Sequence, residues 1–523
     1  MSDNHGNLAE DQQTIPEFSV LLTASNLAQP GEAYWTRTKP QTLTIESGHY
    51  GRILGGRFIA NFFDGGSISG NTAHSILGTA QHPAWAVINI DIDKDNDMKS
   101  ADGGTTYTCD VNCVVGGLTD GIIYGDYEIN VRGGNVRYIV GANQGNGVRS
   151  GSKTFTPAGS TKNANFGQWP NSSFFGRSII NVEQNEDSKP IIINNLYAGG
   201  LGRYADKTDA TVDMYVYGKT EVNIKSGTIL GNVYGGGAGG VLGQNPWDPR
   251  VPYATTDADN AANAIINGVQ YGTWGSKKAG DPLADVILHK RDAYGNFTSE
   301  TEKLNLANSS TTVNISGGTI GGSVYGGGDG FVSNMPVDKK ITMQGVGSVF
   351  GTSNINITGG TITGSVYGGS KGSDKYYNMT NVYGQTINHI AEMNGTVNIN
   401  IIGAATYIGG NIYGAGQGIA STATQEYIDI ATAGNAGLGE EYKTDINILI
   451  DLPDSNPFDG NIYGGGQMGA VDGTTNVVIK SGIINGNVFG GGKGENGHPN
   501  KAKVTGNATV IVDGEWPEPT PEP

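Results

Sequence analysis

Short runs of alternating apolar and polar residues, separated by glycines, recur along the chain. The stretch "VNISGGTIGGSVYGGGDG" at Val313–Gly330 contains three such runs. Alternation with a period of two is the pattern of a β-strand, whereas a helix repeats its apolar residues every three to four positions. The pattern therefore predicts short strands joined by turns that contain glycine.

The runs belong to a repeat unit of roughly 18 residues, too small to bury its own apolar face, so that copies must stack. Three strands per unit describe one coil of a parallel β-helix. Glycine suits corners that need a positive φ or a close approach of two backbones. Separate hairpins packed as two sheets are the alternative, but Asn-Gly-type turns are few. Clear copies begin at Val222, Val313, Ile355, Val397, Ile446 and Val477, and weaker ones at Leu43, Ile129 and Ile191.

The distance between successive units varies, although the unit itself does not. Tyr325 and Tyr367 are 42 residues apart in the sequence, whereas Tyr234 and Tyr325 are 91 apart. The extra residues follow the glycines and precede the next apolar run. Because stacked coils place equivalent corners in line, we expect long loop insertions along one edge of the helix.

These observations divide the chain into three parts. The polar start lacks the apolar core of a secretion signal, and we expect it to form an N-terminal tail or cap. The Pro- and Glu-rich end is typical of a linker, which we expect to lead to a missing C-terminal region. The predicted parts are 1–40 for the tail or cap, 41–514 for the β-helix and 515–523 for the linker. Within the β-helix the coils are degenerate over 41–221, regular over 222–494 and partial over 495–514.

Stacking places equivalent residues in rows at the strand spacing. The alternation leaves open whether the aromatic row faces outward, with the valines in the core, or inward. An outward row that includes Tyr234, Tyr325 and Tyr367 would offer a surface for sugar rings, and the alternative is a covered, structural row. A row of threonines is also predicted, but Tyr407 and Ile483 replace threonine at the equivalent position in later repeats. The predicted rows are Asn223, Asn314, Asn356, Asn398 and Asn447 on the surface; Tyr234, Tyr325, Tyr367, Tyr413, Tyr463 and Phe489; and Thr228, Thr319 and Thr361.

Composition narrows the function classes. Glycine accounts for 85 of 523 residues, about twice the usual share. The net charge of −17 leaves no basic surplus to neutralise phosphates, which argues against a nucleic-acid binder or a binder of anionic membranes. No apolar run reaches the ~18–20 residues that span a bilayer, so we expect no membrane insertion by this segment.

One acidic segment resembles a calcium loop. In "DIDKDNDMKSAD" the carboxylates of Asp91, Asp93, Asp95 and Asp97 alternate, with Asp102 at the twelfth position. The segment departs from the EF-hand pattern, because Asn96 replaces the turn glycine and no helix pattern flanks it. A structural calcium ion is one interpretation, and a solvated acidic loop is the other; we expect no other cofactor.

The two cysteines give little indication of a site. Cys109 and Cys113 are compatible with a local disulfide or with two thiols, and a single C-x3-C pair is weak evidence for a metal site.

The largest insertion, Val241 to Ser310, carries the aromatic residues Trp247, Tyr253, Tyr271 and Trp274. Aromatic side chains on a loop-rich flank are typical of binding surfaces. The alternative is that they pack the loop onto the helix.

The "GGTIxGxVYGGG" pattern resembles the glycine-rich right-handed parallel β-helix repeats of large bacterial surface and adhesin-like proteins, over most of Val222–Gly494. The resemblance implies a single-stranded right-handed parallel β-helix, an all-β fold. It further implies a non-enzymatic extracellular or cell-surface stalk that binds a glycan or a surface or matrix protein. No feature indicates an oligomeric state.

A polysaccharide lyase or glycoside hydrolase of the β-helix type is the alternative function. Such enzymes need clustered carboxylates, or a basic residue with calcium, on one sheet face. The charges in the repeat cores are instead scattered, and the histidines show no metal-ligand spacing. The sequence therefore favours the non-enzymatic interpretation.

Overall fold

The computed structural model of this chain is an all-β structure. All regular structure in the described residues is strand, so no helix in them is long and apolar enough to cross a membrane. The structure describes residues 19–21, 41–55, 67–69, 75–77, 84–94, 109–117, 121–145, 154–156, 164–165, 172–202, 214–243, 265–266, 269–270, 286–291, 297–304, 308–331, 345–373, 390–421, 430–434 and 443–513.

The strands are short, apart from one long strand in most repeats. In the first half they are β1 (Ser19–Leu21), β2 (Gln41–Ile45), β3 (Tyr50–Leu54), β4 (Ser67–Ser69), β5 (Ser75–Leu77), β6 (Ala84–Asp91), β7 (Val111–Val115), β8 (Gly121–Gly133), β9 (Asn135–Val140), β10 (Thr154–Thr156), β11 (Ala164–Asn165), β12 (Ser172–Val182), β13 (Ile192–Tyr197), β14 (Met214–Ile224), β15 (Thr228–Ile229), β16 (Val233–Tyr234) and β17 (Val241–Leu242). In the second half they are β18 (Ile265–Ile266), β19 (Val269–Gln270), β20 (Val286–Arg291), β21 (Phe297–Leu304), β22 (Ser310–Ile320), β23 (Val324–Tyr325), β24 (Val349–Phe350), β25 (Thr352–Ile362), β26 (Val366–Tyr367), β27 (Met393–Asn394), β28 (Val397–Ile408), β29 (Ile412–Tyr413), β30 (Thr444–Asp451), β31 (Ile462–Tyr463), β32 (Gly473–Ser481), β33 (Val488–Phe489) and β34 (Ala508–Val512).

A 27-stranded sheet contains most of these strands, and its strand pairs are parallel. Equivalent strands of successive repeats pair in three rows. The long row runs β2, β6, β8, β12, β14, β22, β25, β28, β30, β32, β34. The tyrosine row runs β1, β3, β7, β9, β13, β16, β23, β26, β29, β31, β33. The short row runs from the start of β14 through β17, β24 and β27 to single bridges at Ala433, Val471 and Val504.

The prediction of an all-β fold with parallel strands is confirmed. Strand β1 lies within the predicted tail or cap and pairs with β3, so this part of the segment joins the sheet. The remaining strands form small antiparallel sheets, β11-β10-β4, β18-β19 and β20-β21.

The short row is an element of the fold that the repeat pattern did not predict. Its strands lie between the glycines of one repeat and the long row of the next, a position for which the repeat pattern predicted only loop. Segments outside the described residues precede the short row at 332–344 and 374–389, and follow it at 244–264 and 435–442. A strand that two residues or a single bridge define is too short for sequence periodicity to reveal.

Valine and isoleucine from all three rows fill one continuous core. Val233, Val324 and Val366 of the tyrosine row belong to it, together with Val313 and Ile315 of the long row. The tyrosines that follow these valines point the other way, as expected for neighbouring residues of a strand. They are nevertheless buried, in a second cluster with Leu54, Val115 and Val140. The interpretation with the valines in the core and a covered, structural aromatic row therefore fits: the tyrosines face away from the main core and have a core of their own.

Asparagine side chains form a hydrogen-bonded ladder along the outer face of the long row. Each Nδ2 donates to the Oδ1 of the preceding repeat at 2.8–3.0 Å. Asn356 is followed by Asn400, whereas Asn398 pairs with Asn354, so the predicted place of Asn398 in this row is wrong. A slip of two residues keeps every side chain on its face, so alternation cannot detect it. The ladder comprises Asn89, Asn130, Asn181, Asn223, Asn314, Asn356 and Asn400.

The repeated glycines have two different causes. Gly227 follows the long strand β14, and the equivalent Gly318 and Gly360 lie near the ends of β22 and β25; their φ values are 87°, 78° and 89°, which glycine adopts without strain. The glycines after the tyrosine lie outside the left-handed region and are instead crowded by the next repeat. A Cβ on Gly327 would lie 2.1 Å from Ser370 Oγ and 2.9 Å from Ser370 N. The prediction that glycines allow a positive φ or a close approach of two backbones is therefore confirmed. Positive φ occurs at the glycines near the end of the long strand, and close approach occurs at the glycines after the tyrosine.

Candidate functional site

The tyrosine ladder does not present a surface for ligands. From Tyr197 to Phe489 the rings stack with centroids 4.8–5.1 Å apart and planes 4–11° from parallel. Tyr234, Tyr325 and Tyr367 are only 0, 3 and 4% exposed. A sugar ring needs an exposed aromatic face, so the interpretation of these three residues as ligand-binding does not fit the geometry.

The segment after each glycine run covers the ladder. Tyr325 Oη donates a hydrogen bond to Gln417 Oε1 and Tyr367 Oη donates one to Gln467 Oε1, both at 2.5 Å. Burial raises the pKa of the Tyr234 phenol well above its usual range, and the neighbouring Asp329 raises it further. The hydrogen bonds of Tyr325 and Tyr367 thus attach the covering segment to the ladder.

The acidic segment contributes two described carboxylates. Asp91 accepts a hydrogen bond from Ser188 Oγ, and Asn185 Nδ2 lies 3.5 Å from both of its carboxylate oxygens. Asp93 forms a β-bridge with Ser188. Asp95, Asp97 and Asp102 lie outside the described residues, within which no group of three or more acidic, histidine or cysteine side chains could hold a metal ion. The structural calcium ion stays a prediction.

The remaining predicted residues divide in the same way. Trp247, Tyr253, Tyr271 and Trp274 lie outside the described residues, so their binding role also stays a prediction. Cys109 and Cys113 are buried and do not form a disulfide. The interpretation of two thiols therefore applies.

An open cleft lies beside the C-terminal end of the long strand β28, between this strand and the segment after β30. Its empty volume, counting the part open to solvent, is about 430 Å³. Buried apolar side chains form the floor, and the exposed Tyr407, Pro457 and Asp459 line the rim. The floor is lined by Ile401, Ile408, Ile412, Leu452 and Phe458.

Stacking brings these residues together. Ile362, the last residue of β25, pairs with Ile408, the last residue of β28, and Phe458 bridges to Ile484. An apolar residue therefore recurs at this position from repeat to repeat. The residue before it points outward: it is threonine in three repeats, then Tyr407, Pro457 and Ile483. Tyr407 is 56% exposed, which is unusual for so large a ring. The sequence signal for this cleft was the point at which the threonine row breaks.

Polar groups complete the cleft. Asp459 Oδ1 accepts a hydrogen bond from Asn485 Nδ2 at 2.7 Å, and Asn456 Nδ2 donates to the Thr406 carbonyl at 2.5 Å. Thr406 is 5% exposed, and its hydroxyl has no hydrogen-bond partner among the described residues. An aromatic face, a carboxylate, an amide and an unsatisfied hydroxyl thus meet around one apolar depression, as in small-ligand sites.

Searches with this sequence against models of protein families, curated proteins and solved structures find no match. The geometry of the described residues is therefore the basis for a functional assignment.

Proposed function

We propose that this chain is a parallel β-helix that serves as a non-enzymatic, adhesin-like stalk at the cell surface or outside the cell, binding a glycan or a surface or matrix protein. The observation that carries the proposal is the combination of stacked rows with an aromatic cleft open to solvent. Parallel pairing from repeat to repeat gives an extended scaffold that holds side chains at fixed spacing. The right-handed course of the helix and its surface location are parts of the same proposal.

The hydrogen bonding of the carboxylates supports a binding role over the polysaccharide-degrading alternative. Asp445 Oδ1 accepts from Thr474 Oγ1 at 2.5 Å, and Asp451 Oδ1 from Ser481 Oγ at 2.7 Å. These two carboxylates each tie one repeat to the next. A general acid or nucleophile of a glycosidase would instead direct its carboxylate at the substrate.

Binding and cleavage are best tested on one preparation. The chain is applied to an array of glycans and extracellular matrix proteins, and the same glycans are assayed for new reducing ends and unsaturated products. We expect saturable binding to at least one ligand without product release. Release of glycan products without stable binding would contradict the proposal and support the enzyme.

A further inference from the structure

We propose that the cleft bounded by Tyr407, Pro457 and Asp459 binds one pyranose ring of an uncharged glycan, with Thr406 as a buried hydrogen-bonding group at its floor. This inference rests on the proposed function, which it deepens by naming the site and the class of ligand. Three features of the cleft support it: the exposed ring, the unsatisfied hydroxyl and the charge.

The exposed ring indicates a flat, partly apolar ligand. Tyr407 is more than half exposed beside a floor of buried apolar side chains, whereas Tyr234, Tyr325 and Tyr367 of the stacked ladder are covered. The C–H face of a pyranose packs against such a ring, while its hydroxyls reach hydrogen-bonding groups around it.

The hydroxyl of Thr406 provides the independent indication of a ligand. Burying a hydroxyl without a hydrogen bond costs free energy, so buried polar groups in proteins are nearly always paired. Thr406 Oγ1 has no partner within the described part of the chain, although this residue lines the cleft. A hydroxyl of a bound sugar both donates and accepts, so it satisfies a threonine hydroxyl in either sense.

The charge selects uncharged sugars over acidic ones. Asp459 lies at the rim of the cleft, next but one to Pro457, which also lines it. Asp451 and Asp454 precede both residues on the same segment of chain. A carboxylate at the rim repels the carboxylate of a uronic or sialic acid, which would weaken the binding of such a sugar. Carboxylates accept hydrogen bonds from neutral sugar hydroxyls, which favours hexoses and N-acetylhexosamines.

The test measures binding of defined trisaccharides by titration calorimetry and saturation-transfer NMR. The neutral probes are trimers of glucose, galactose, mannose and N-acetylglucosamine, and the acidic probe is tri-galacturonic acid. We expect at least one neutral trimer to bind more tightly than the acidic trimer, with ring protons saturated from the protein. Failure of every neutral trimer to bind at up to about 10 mM, or tighter binding of the acidic trimer, would overturn the inference.

Variants locate the binding site. Tyr407→Ala should weaken binding by at least about tenfold, whereas Tyr407→Phe retains the ring and should weaken it far less. The matched control is Leu230→Ala, which removes an equally exposed apolar side chain, 57% exposed, from another repeat outside the cleft. Unchanged affinity in Tyr407→Ala, or an equal loss in the control, would overturn the inference.

Thr406→Val distinguishes a ligand-binding hydroxyl from a merely structural one. It replaces the unpaired hydroxyl by a methyl group of similar size, so it should raise the melting temperature while lowering the affinity for the neutral trimer. A raised melting temperature with unchanged affinity would remove Thr406 from the site. Binding on the glycan and protein array that survives Tyr407→Ala would contradict only this inference, whereas no binding to any array member would contradict the proposed function itself.

Discussion

Asn314 shows how single residues connect the repeats. Its Nδ2 donates to Asn223 Oδ1 and its Oδ1 accepts from Asn356 Nδ2, both at 2.8 Å. These bonds run between stacked strands, where each amide satisfies its neighbour's donor and acceptor. One side chain therefore couples three repeats.

We predict that Asn314→Ala lowers stability by about 1–2 kcal/mol, because it removes two hydrogen bonds and leaves two amides without their partners. Asn447→Ala is the matched control, since Asn447 is exposed and its Nδ2 makes a longer bond, 3.2 Å, to Asn398. The midpoints of urea unfolding measure both effects. Equal midpoint shifts in the two variants would contradict the ladder as a stabilising feature.

An ion pair with a buried lysine, Lys501, makes a pH-dependent contribution to the stability of the folded protein. The Lys501 side chain is fully buried, and its Nζ lies 2.7 Å from Glu495 Oε2. This hydrogen bond, and a second one from the Ser421 backbone N–H, hold the pKa of Glu495 at about 2, below its ordinary value of 4.5. The carboxyl therefore remains ionised in the folded protein at pH values where it is protonated in the unfolded chain.

We predict that Glu495→Gln destabilises the protein most above pH 5 and that the difference shrinks as the pH falls toward 2. A depressed folded-state pKa stabilises above the unfolded pKa, and this stabilisation is lost as the folded carboxyl is protonated. Melting temperatures of both proteins, measured from pH 7 to pH 2, give the difference. A difference that stays constant or grows at low pH would contradict the assignment.

At the scale of the element, the "VYGGG" strand and corner depend on their neighbours rather than on their own conformation. The valine enters the main core, the aromatic residue joins the ladder, and the glycines admit the next repeat at backbone contact. In the last regular repeat this constraint is absent. A Cβ on Gly491 would meet nothing within 4 Å, although Gly491 occupies the same position as Gly327.

We predict that Gly327→Ala costs about 1–3 kcal/mol, because the new methyl group overlaps the backbone and side chain of Ser370. Gly491→Ala should be neutral or stabilise by up to about 1 kcal/mol, since it only reduces the freedom of the unfolded chain. Thermal melting of the pair provides the comparison. Similar losses in both variants would show that backbone conformation, not stacking, requires these glycines.

Strand type and the repeated elements were predictable from sequence, but their register and cover were not. Val324 and Tyr325 had to lie on opposite faces of one strand, yet only the structure shows that Gln417, from a later repeat, covers the tyrosine. The cleft at Tyr407 was equally hidden, because it joins residues from β28 to a segment some 50 positions later. Local periodicity carries no information on such distant contacts.

At the scale of the whole molecule, each repeat is stabilised by the repeats on either side. Val313 is followed along the long row by Ile355, Ile399 and Ile448, and the same row ends at Val510. Val313 is fully buried, whereas Val510 is 40% exposed. Position in the stack, rather than residue type, thus decides burial.

We predict that Val313→Ala lowers stability by about 1.5–3 kcal/mol and that Val510→Ala lowers it by less than about 1 kcal/mol. Both substitutions remove the same two methyl groups from the same row, so residue chemistry is held constant. Hydrogen exchange adds spatial resolution, since Val313→Ala should reduce protection in the neighbouring repeats. Equal destabilisation by the two substitutions would contradict stabilisation by nearest neighbours.

The sequence by itself determined that this protein is built of short parallel strands from a glycine-rich unit, because alternation and repetition are written locally in every copy. Only the tertiary structure decided that the tyrosines are buried, that Asn400 rather than Asn398 continues the ladder, and that a short third row of strands lies between the glycines of one repeat and the long strand of the next. It also decided where an aromatic residue remains exposed. These outcomes depend on register and on contacts between distant repeats, which a period-two pattern leaves unspecified.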